Sequence, residues 1–160
     1  MTRPRTLREH RTCYRIGDPE GAFPVFSAEG ARQVEGRWHE RGDAVIYAAE
    51  HYSLAMLEKL AHWNGVLPPN QHFVEITLPA GLSYEVVTGD LLPGWHAPSG
   101  DVARAFGHEW YVSGRSAALF VPSVVARLER AILLNTRHPE FPGVTVGLET
   151  PVVWDDRLFR

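Results

Sequence analysis

Twelve prolines and fourteen glycines are spread through 160 residues, and this punctuation limits the chain more than any other feature. Proline removes a backbone donor and clashes with the preceding helical turn, while glycine weakens helix and strand interiors. Only short elements fit between such residues. Residues 53–63 (SLAMLEKLAHW) have helical spacing, with Leu54, Leu57, Leu60 and Ala61 on one side and Ser53 placed to cap the start. Leu67-Pro68-Pro69-Asn70 then stops that helix. A second helix is predicted from Ser99 to about Val112, with Ser99 as cap and Val102, Phe106 and Trp110 on one side; Gly107 weakens it. HFVEITLP, residues 72–79, alternates clearly and reads as a strand. Further strands are expected at 13–17, 43–49, near 84–87, and at 116–123, 130–135 and 146–154. Strands outnumber helices, which predicts an α+β fold: a twisted, mostly antiparallel sheet with few flanking helices.

Length suits one domain, and the charge divides it into two segments. Residues 1–15 carry five arginines against Glu9, and the other positions carry eleven basic and eighteen acidic residues, a net of −7. Residues 1–12 are therefore read as a basic, solvated N-terminal arm and residues 13–160 as the folded domain. The acidic body argues against direct nucleic-acid binding. No apolar run reaches the roughly 20 residues a membrane span needs, and the basic N-terminus has no apolar segment behind it to form a signal peptide. The single cysteine, Cys13, permits no internal disulfide and fits a reducing cytoplasm.

Several polar residues stand out by position. In GRWHERGDAVIY, residues 36–47, Gly42 and Asp43 suffice to make a turn, so Arg37-Trp38 invite another explanation. A guanidinium beside an indole suits the bidentate holding of phosphate or ribose oxygens. Tyr47 follows in an apolar strand, where it fits either a core position or an aromatic platform for a planar ligand. Glu58 lies just beyond the edge of the apolar arc of the 53–63 helix, with His62 four residues on; such a pair is either a surface contact or a proton-sharing, ligand-orienting one. Ser123, after Val121-Pro122, lacks a Gly-x-Ser-x-Gly elbow and reads as a hydrogen-bonding group, not a nucleophile. Asn135 and His138 read as turn residues. No His-Glu-x-x-His or cysteine-pair spacing occurs, so no metal is expected. Neither a Walker loop nor Gly-x-Gly-x-x-Gly is present.

In order, Tyr14-Arg15, GRWHERGDAVIYAAEHYSLAMLEKLAHW, VPSVV and LLNTRHPEF resemble the RES-domain family, named for its Arg, Glu and Ser, over roughly residues 13–155. His39 stands where that family commonly has Asn, and Ala131-Ile132 where it often has Asn-Tyr. The resemblance implies an ADP-ribosyltransferase-like fold and a toxin of a type II toxin–antitoxin pair, with an Xre-like helix-turn-helix antitoxin as partner. It implies NAD as substrate, cleaved at the nicotinamide–ribose bond, with ADP-ribose passed to water, phosphate or a protein. By matching motifs, Arg37, Tyr47 and Glu58 take the catalytic positions. Arg37 would grip phosphate or ribose, Tyr47 would stack the ring, and Glu58 would steady the cation. Ser123 would bond the nicotinamide amide or ribose, His62 would position Glu58, and Ser53 would add a polar contact. A transferase dedicated to one host protein is the alternative reading. A non-enzymatic module whose Arg-Trp turn docks a partner is a further one.

Overall fold

Alternating aliphatic residues build the centre of the fold. The computed structural model describes residues 2–160. Its strands are β1 (Arg5–Thr6), β2 (Arg11–Gly17), β3 (Val45–Ala49), β4 (His72–Leu78), β5 (Ser83–Val86), β6 (Ala118–Pro122), β7 (Arg130–Asn135), β8 (Thr145–Val146) and β9 (Thr150–Pro151). Its helices are α1 (Glu29–Gln33), α2 (Tyr52–His62) and α3 (Asp101–Ser113). The strands form one sheet in the order β1-β5-β6-β7-β3-β2-β4-β8, with β9 also on β4. Every pair is antiparallel except β5–β6, whose crossover carries α3. The mixed sheet and its helices make the α+β fold expected from the sequence.

Side chains on a strand point alternately to opposite faces. Ile46, Ala48, Phe120, Ile132 and Leu134 therefore join Cys13, Ile76 and Leu78 in one buried cluster. Val45, Leu119, Val121 and Leu133 face the other way, onto Trp38, Trp95 and the α3 residues Ala103 and Trp110. Tyr47, with the same parity as Val45, packs against this second cluster. Close packing of α3 answers for Gly107: a Cβ there would collide with the Trp38 backbone carbonyl.

The sheet is weakest at its middle. β2 pairs with β4 along its whole length, but it meets β3 at a single position, Tyr14↔Ala49. Beyond that bridge the two strands part. The Arg15 guanidinium spans the opening, its Nε donating to the Val25 carbonyl at 2.6 Å and its Nη1 to the Tyr47 carbonyl at 2.9 Å. A side chain thus supplies a donor that an adjacent strand would otherwise supply.

Four expectations are corrected. Ser53 does not cap α2; the helix starts at Tyr52 from His51, with no side-chain cap bond, and Ser53 is exposed. The inward face of α2 is also rotated from the one predicted, for Leu54 and Ala55 are buried against Ile16 and Ala49, while Leu57 and Ala61 are exposed. Small Ala55, not Leu57, faces the parting strands, which leaves room between helix and sheet. The expected 146–154 strand is two two-residue strands on β4, and α3 starts from Gly100 in the left-handed conformation (φ 72°), not from Ser99. Arg3, Arg5, Arg8 and Arg11 face solvent, while the backbone of this segment is tied to the sheet. Arg5–Thr6 pair with β5, and Leu7 is buried.

Candidate active site

The Gly36–His39 turn before β3 is held from several sides. Trp38 is buried and stacks on Trp95, with ring centroids 6.1 Å apart and planes 22° from parallel. Arg104 of α3 donates from Nε to the Gly36 carbonyl at 3.0 Å. Arg37 donates from Nη1 to the carbonyls of Trp95 (3.1 Å) and Ala97 (2.8 Å). Its Nε and Nη2 have no protein acceptor among the described residues, so half of the guanidinium fork stays available. The indole is therefore a core residue and its arginine neighbour is partly free, although the two are adjacent in sequence.

His39 fixes Tyr47. The His39 Nε2 lies 2.9 Å from the Ala31 carbonyl and 2.8 Å from the Val34 carbonyl. Two acceptors there require the hydrogen on Nε2, so in neutral His39 the Nδ1 is an acceptor. The Tyr47 hydroxyl donates to that Nδ1 at 2.7 Å and accepts from the Trp38 N–H at 3.1 Å. Burial pushes the Tyr47 pKa above its ordinary value, keeping the phenol protonated and able to donate. Gly36 is needed beside this pair: a Cβ would lie 2.7 Å from His39 Cε1 and 3.0 Å from the Tyr47 hydroxyl.

Glu58 is oriented by Ser123. The Ser123 Oγ accepts from the Val125 and Ala126 N–H groups, each at 3.2 Å, and donates to Glu58 Oε1 at 2.7 Å. With its lone pairs committed to the turn after β6, the hydroxyl has one place to aim its proton. Glu58 Oε2 has no protein donor among the described residues.

Arg37, Tyr47, Glu58 and His62 line one cavity of about 470 Å³, formed where β2 leaves β3 and floored by β3 residues beside α2. That volume is within the range of small-molecule sites, roughly 300–1,000 Å³. Arg37, Tyr47 and Glu58, from the turn, the next strand and the following helix, thus line one cavity. Two other expected members do not line it. Ser123 is buried behind Glu58, and Ser53 faces solvent on the far side of its helix. His62 lines the cavity but makes no hydrogen bond to Glu58; the partner of that carboxylate is Ser123. Sequence reasoning assigned no role to Arg15, His39 or Lys59. Arg15 was visible only as part of Tyr14-Arg15 and His39 only as a departure from Asn.

A parted mixed sheet with an arginine, a phenol and a serine-held carboxylate at the gap defines an α+β protein with a small-molecule-sized site. The RES-domain family model matches residues 12–155, and the chain belongs to that family of toxins. It is 42% identical over 140 residues to the Prs ADP-ribosylating toxin of Sphingobium sp. (strain YBL2), covering 84% of this chain and 87% of that protein. It is 33% identical over 143 residues to Toxin Res of Pseudomonas putida, covering 86% of this chain and 95% of that one. A chain of the M. tuberculosis MbcT–MbcA toxin–antitoxin complex shares the fold, with a TM-score of 0.73 at 16% identity over 92% of this chain and 87% of its own.

Proposed function

We propose that this toxin cleaves NAD at the nicotinamide–ribose bond and passes ADP-ribose to an acceptor. The observation that carries the reading is the position of Glu58: its Oε1 is held by Ser123, and it lines the same cavity as Arg37 and Tyr47. When the bond from the anomeric carbon to the pyridinium nitrogen breaks, its electron pair goes to that nitrogen and nicotinamide leaves neutral. Positive charge remains on the ribose, as in glycoside cleavage. A leaving group of this kind needs no proton. The demand is for negative charge beside the forming cation, already oriented before reaction, and the Ser123-held carboxylate meets it. With water as acceptor, its oxygen bonds the anomeric carbon and its proton passes to Glu58. The free half of the Arg37 fork binds phosphate or ribose oxygens, and the Tyr47 ring, anchored through its hydroxyl, walls the nicotinamide. His62 lines the mouth.

Glu58→Gln keeps the size of the side chain and removes its charge. NAD binding should stay within about threefold while turnover falls at least roughly a hundredfold, the scale of losing one electrostatic stabiliser. Near-wild-type turnover removes Glu58 from the reaction. Product analysis with and without phosphate separates free ADP-ribose from its 1-phosphate. Transfer to a dedicated host protein is the second reading, supported by the likeness to the Sphingobium relative, an ADP-ribosylating toxin. Labelled protein after incubation with NAD and lysate would favour it. The partner proposed for this toxin is an Xre-like helix-turn-helix antitoxin, and the compartment is the cytoplasm. Among the described residues no helix is long and apolar enough to cross a membrane.

A further inference from the structure

Charge is unevenly engaged around the cavity. Arg15, Arg37, Lys59 and one carboxylate, Glu58, line it. Two of the cations are already bound to the protein. Arg15 spends Nε and Nη1 on the Val25 and Tyr47 carbonyls, and Arg37 spends Nη1 on those of Trp95 and Ala97. Lys59, the sole lysine of the chain, is half-buried and has no hydrogen bond or ion pair among the described residues. Burial first, and then the nearby Arg15 charge, lowers its pKa. A partly desolvated ammonium beside a second cation is unfavourable until an anion joins them.

Helix geometry separates this cation from the carboxylate. At about 100° per residue, Glu58 and Lys59 fall on opposite flanks of the stripe that carries Ala55 and His62. Glu58 turns toward Ser123, after β6, and Lys59 lines the cavity together with Arg15, on β2. The cavity thus has an anionic flank and a cationic flank with small Ala55 between them. NAD carries a matching pair of charges: a pyridinium at one end and, one ribose away, a diphosphate.

We propose that Lys59, beside Arg15, is the anchoring cation for the diphosphate of the substrate, so that it sets which end of the dinucleotide reaches Glu58. The assignment rests on the NAD reading above. In the bound state the ammonium donates to diphosphate oxygens as a charge-assisted hydrogen bond. Lys59 is a binding and orienting residue, and the bond-breaking step remains at Glu58.

Calorimetric titration of the full chain with ADP, and separately with adenosine, tests this without turnover. Lys59→Met should weaken ADP at least about tenfold, the scale of one hydrogen bond to a charged group. Lys59→Arg, which keeps the charge, should stay within about threefold of wild type. Adenosine should bind all three alike, because it lacks the anion. If Lys59→Met binds ADP as tightly as wild type, the assignment falls while the NAD reading stands. Equal weakening of ADP and adenosine also overturns it, since the lysine would then only shape the cavity. A wild-type chain that binds neither ADP nor NAD overturns this inference and the proposed function together.

Discussion

Replacing Ser123 by alanine removes one oxygen that does two things. It takes the donor from Glu58 Oε1, at 2.7 Å, and the acceptor from the Val125 and Ala126 N–H groups, each at 3.2 Å. A hydrogen bond to a charged group is worth about 1.5–3 kcal/mol. If all of it serves to hold the carboxylate where the ribose cation forms, turnover should fall roughly 10- to 150-fold at about 1.4 kcal/mol per decade. Because Ser123 does not line the cavity, KM for NAD should change by no more than about threefold, the signature of an interaction felt mainly in the transition state. Stopped-flow or discontinuous assay of nicotinamide release gives both constants. The double variant with Glu58→Gln provides the internal check: a serine that acts only through Glu58 should add little once the carboxylate is gone, so the two losses should be far from additive. A KM increase equal to the loss in kcat/KM, or full additivity in the double variant, refutes the argument and makes Ser123 a direct ligand contact instead.

Gly36→Ala should destabilise the fold by about 1–3 kcal/mol, because the new Cβ meets His39 Cε1 at 2.7 Å and the Tyr47 hydroxyl at 3.0 Å; thermal melting that matches wild type would contradict this. Gly107→Ala should cost more, about 3 kcal/mol or above, since the obstacle is the Trp38 backbone carbonyl and not a movable side-chain tip; unaltered melting would mean that α3 shifts freely. The His108 pKa is raised, chiefly by its hydrogen bond to Asp43, with both Asp43 carboxylate oxygens at 3.0 Å from Nδ1 and Glu40 at 3.5 Å from Nε2. A raised folded value means that the contribution is complete below the ordinary histidine pKa and lost as pH rises through the folded one. Wild type should therefore lose melting temperature relative to His108→Gln as pH rises through that window, and the difference should shrink in high salt.

Reading the sequence recovered elements wherever burial is periodic. β4 has buried Val74, Ile76 and Leu78 in strict alternation, the pattern that any strand with one covered face must show. α1 escaped notice because none of its five residues is buried, so it leaves no apolar period to find. The inward side of α2 was misjudged for a related reason. Counting apolar side chains favours Leu57 and Ala61, but the helix leans on the sheet through Leu54 and Ala55 and turns its charged neighbours inward to line a cavity. The roles of Arg15 and His39 were hard to read because all but one of their partners, the Tyr47 hydroxyl on His39 Nδ1, are backbone carbonyls, at Val25, Tyr47, Ala31 and Val34. Carbonyls are the same at every position and leave no mark in a sequence.

The place where the strands part and the place where the charged groups gather are the same, and one cause serves for both. A continuous β2–β3 ladder would bring the Arg15–Gly17 end of β2 against Ile46–Ala48 and close the floor of the cavity. Pairing stops instead after Tyr14↔Ala49, and what replaces the ladder is polar: the Arg15 guanidinium across the gap, the Tyr47 hydroxyl held by His39 and Trp38, and α2 bringing Ala55, Glu58 and Lys59 to the opening. Each lost backbone bond must find another partner, because an unpaired buried polar group costs about 1–3 kcal/mol. A polar lining is thus required by the break itself, and the identity of the groups in it determines the chemistry. This is also why the motif residues are spread along the chain. The break is lined mainly by residues from the two strands that separate, from the turn before β3 and from the helix after it, with Ala131 of β7 beside them.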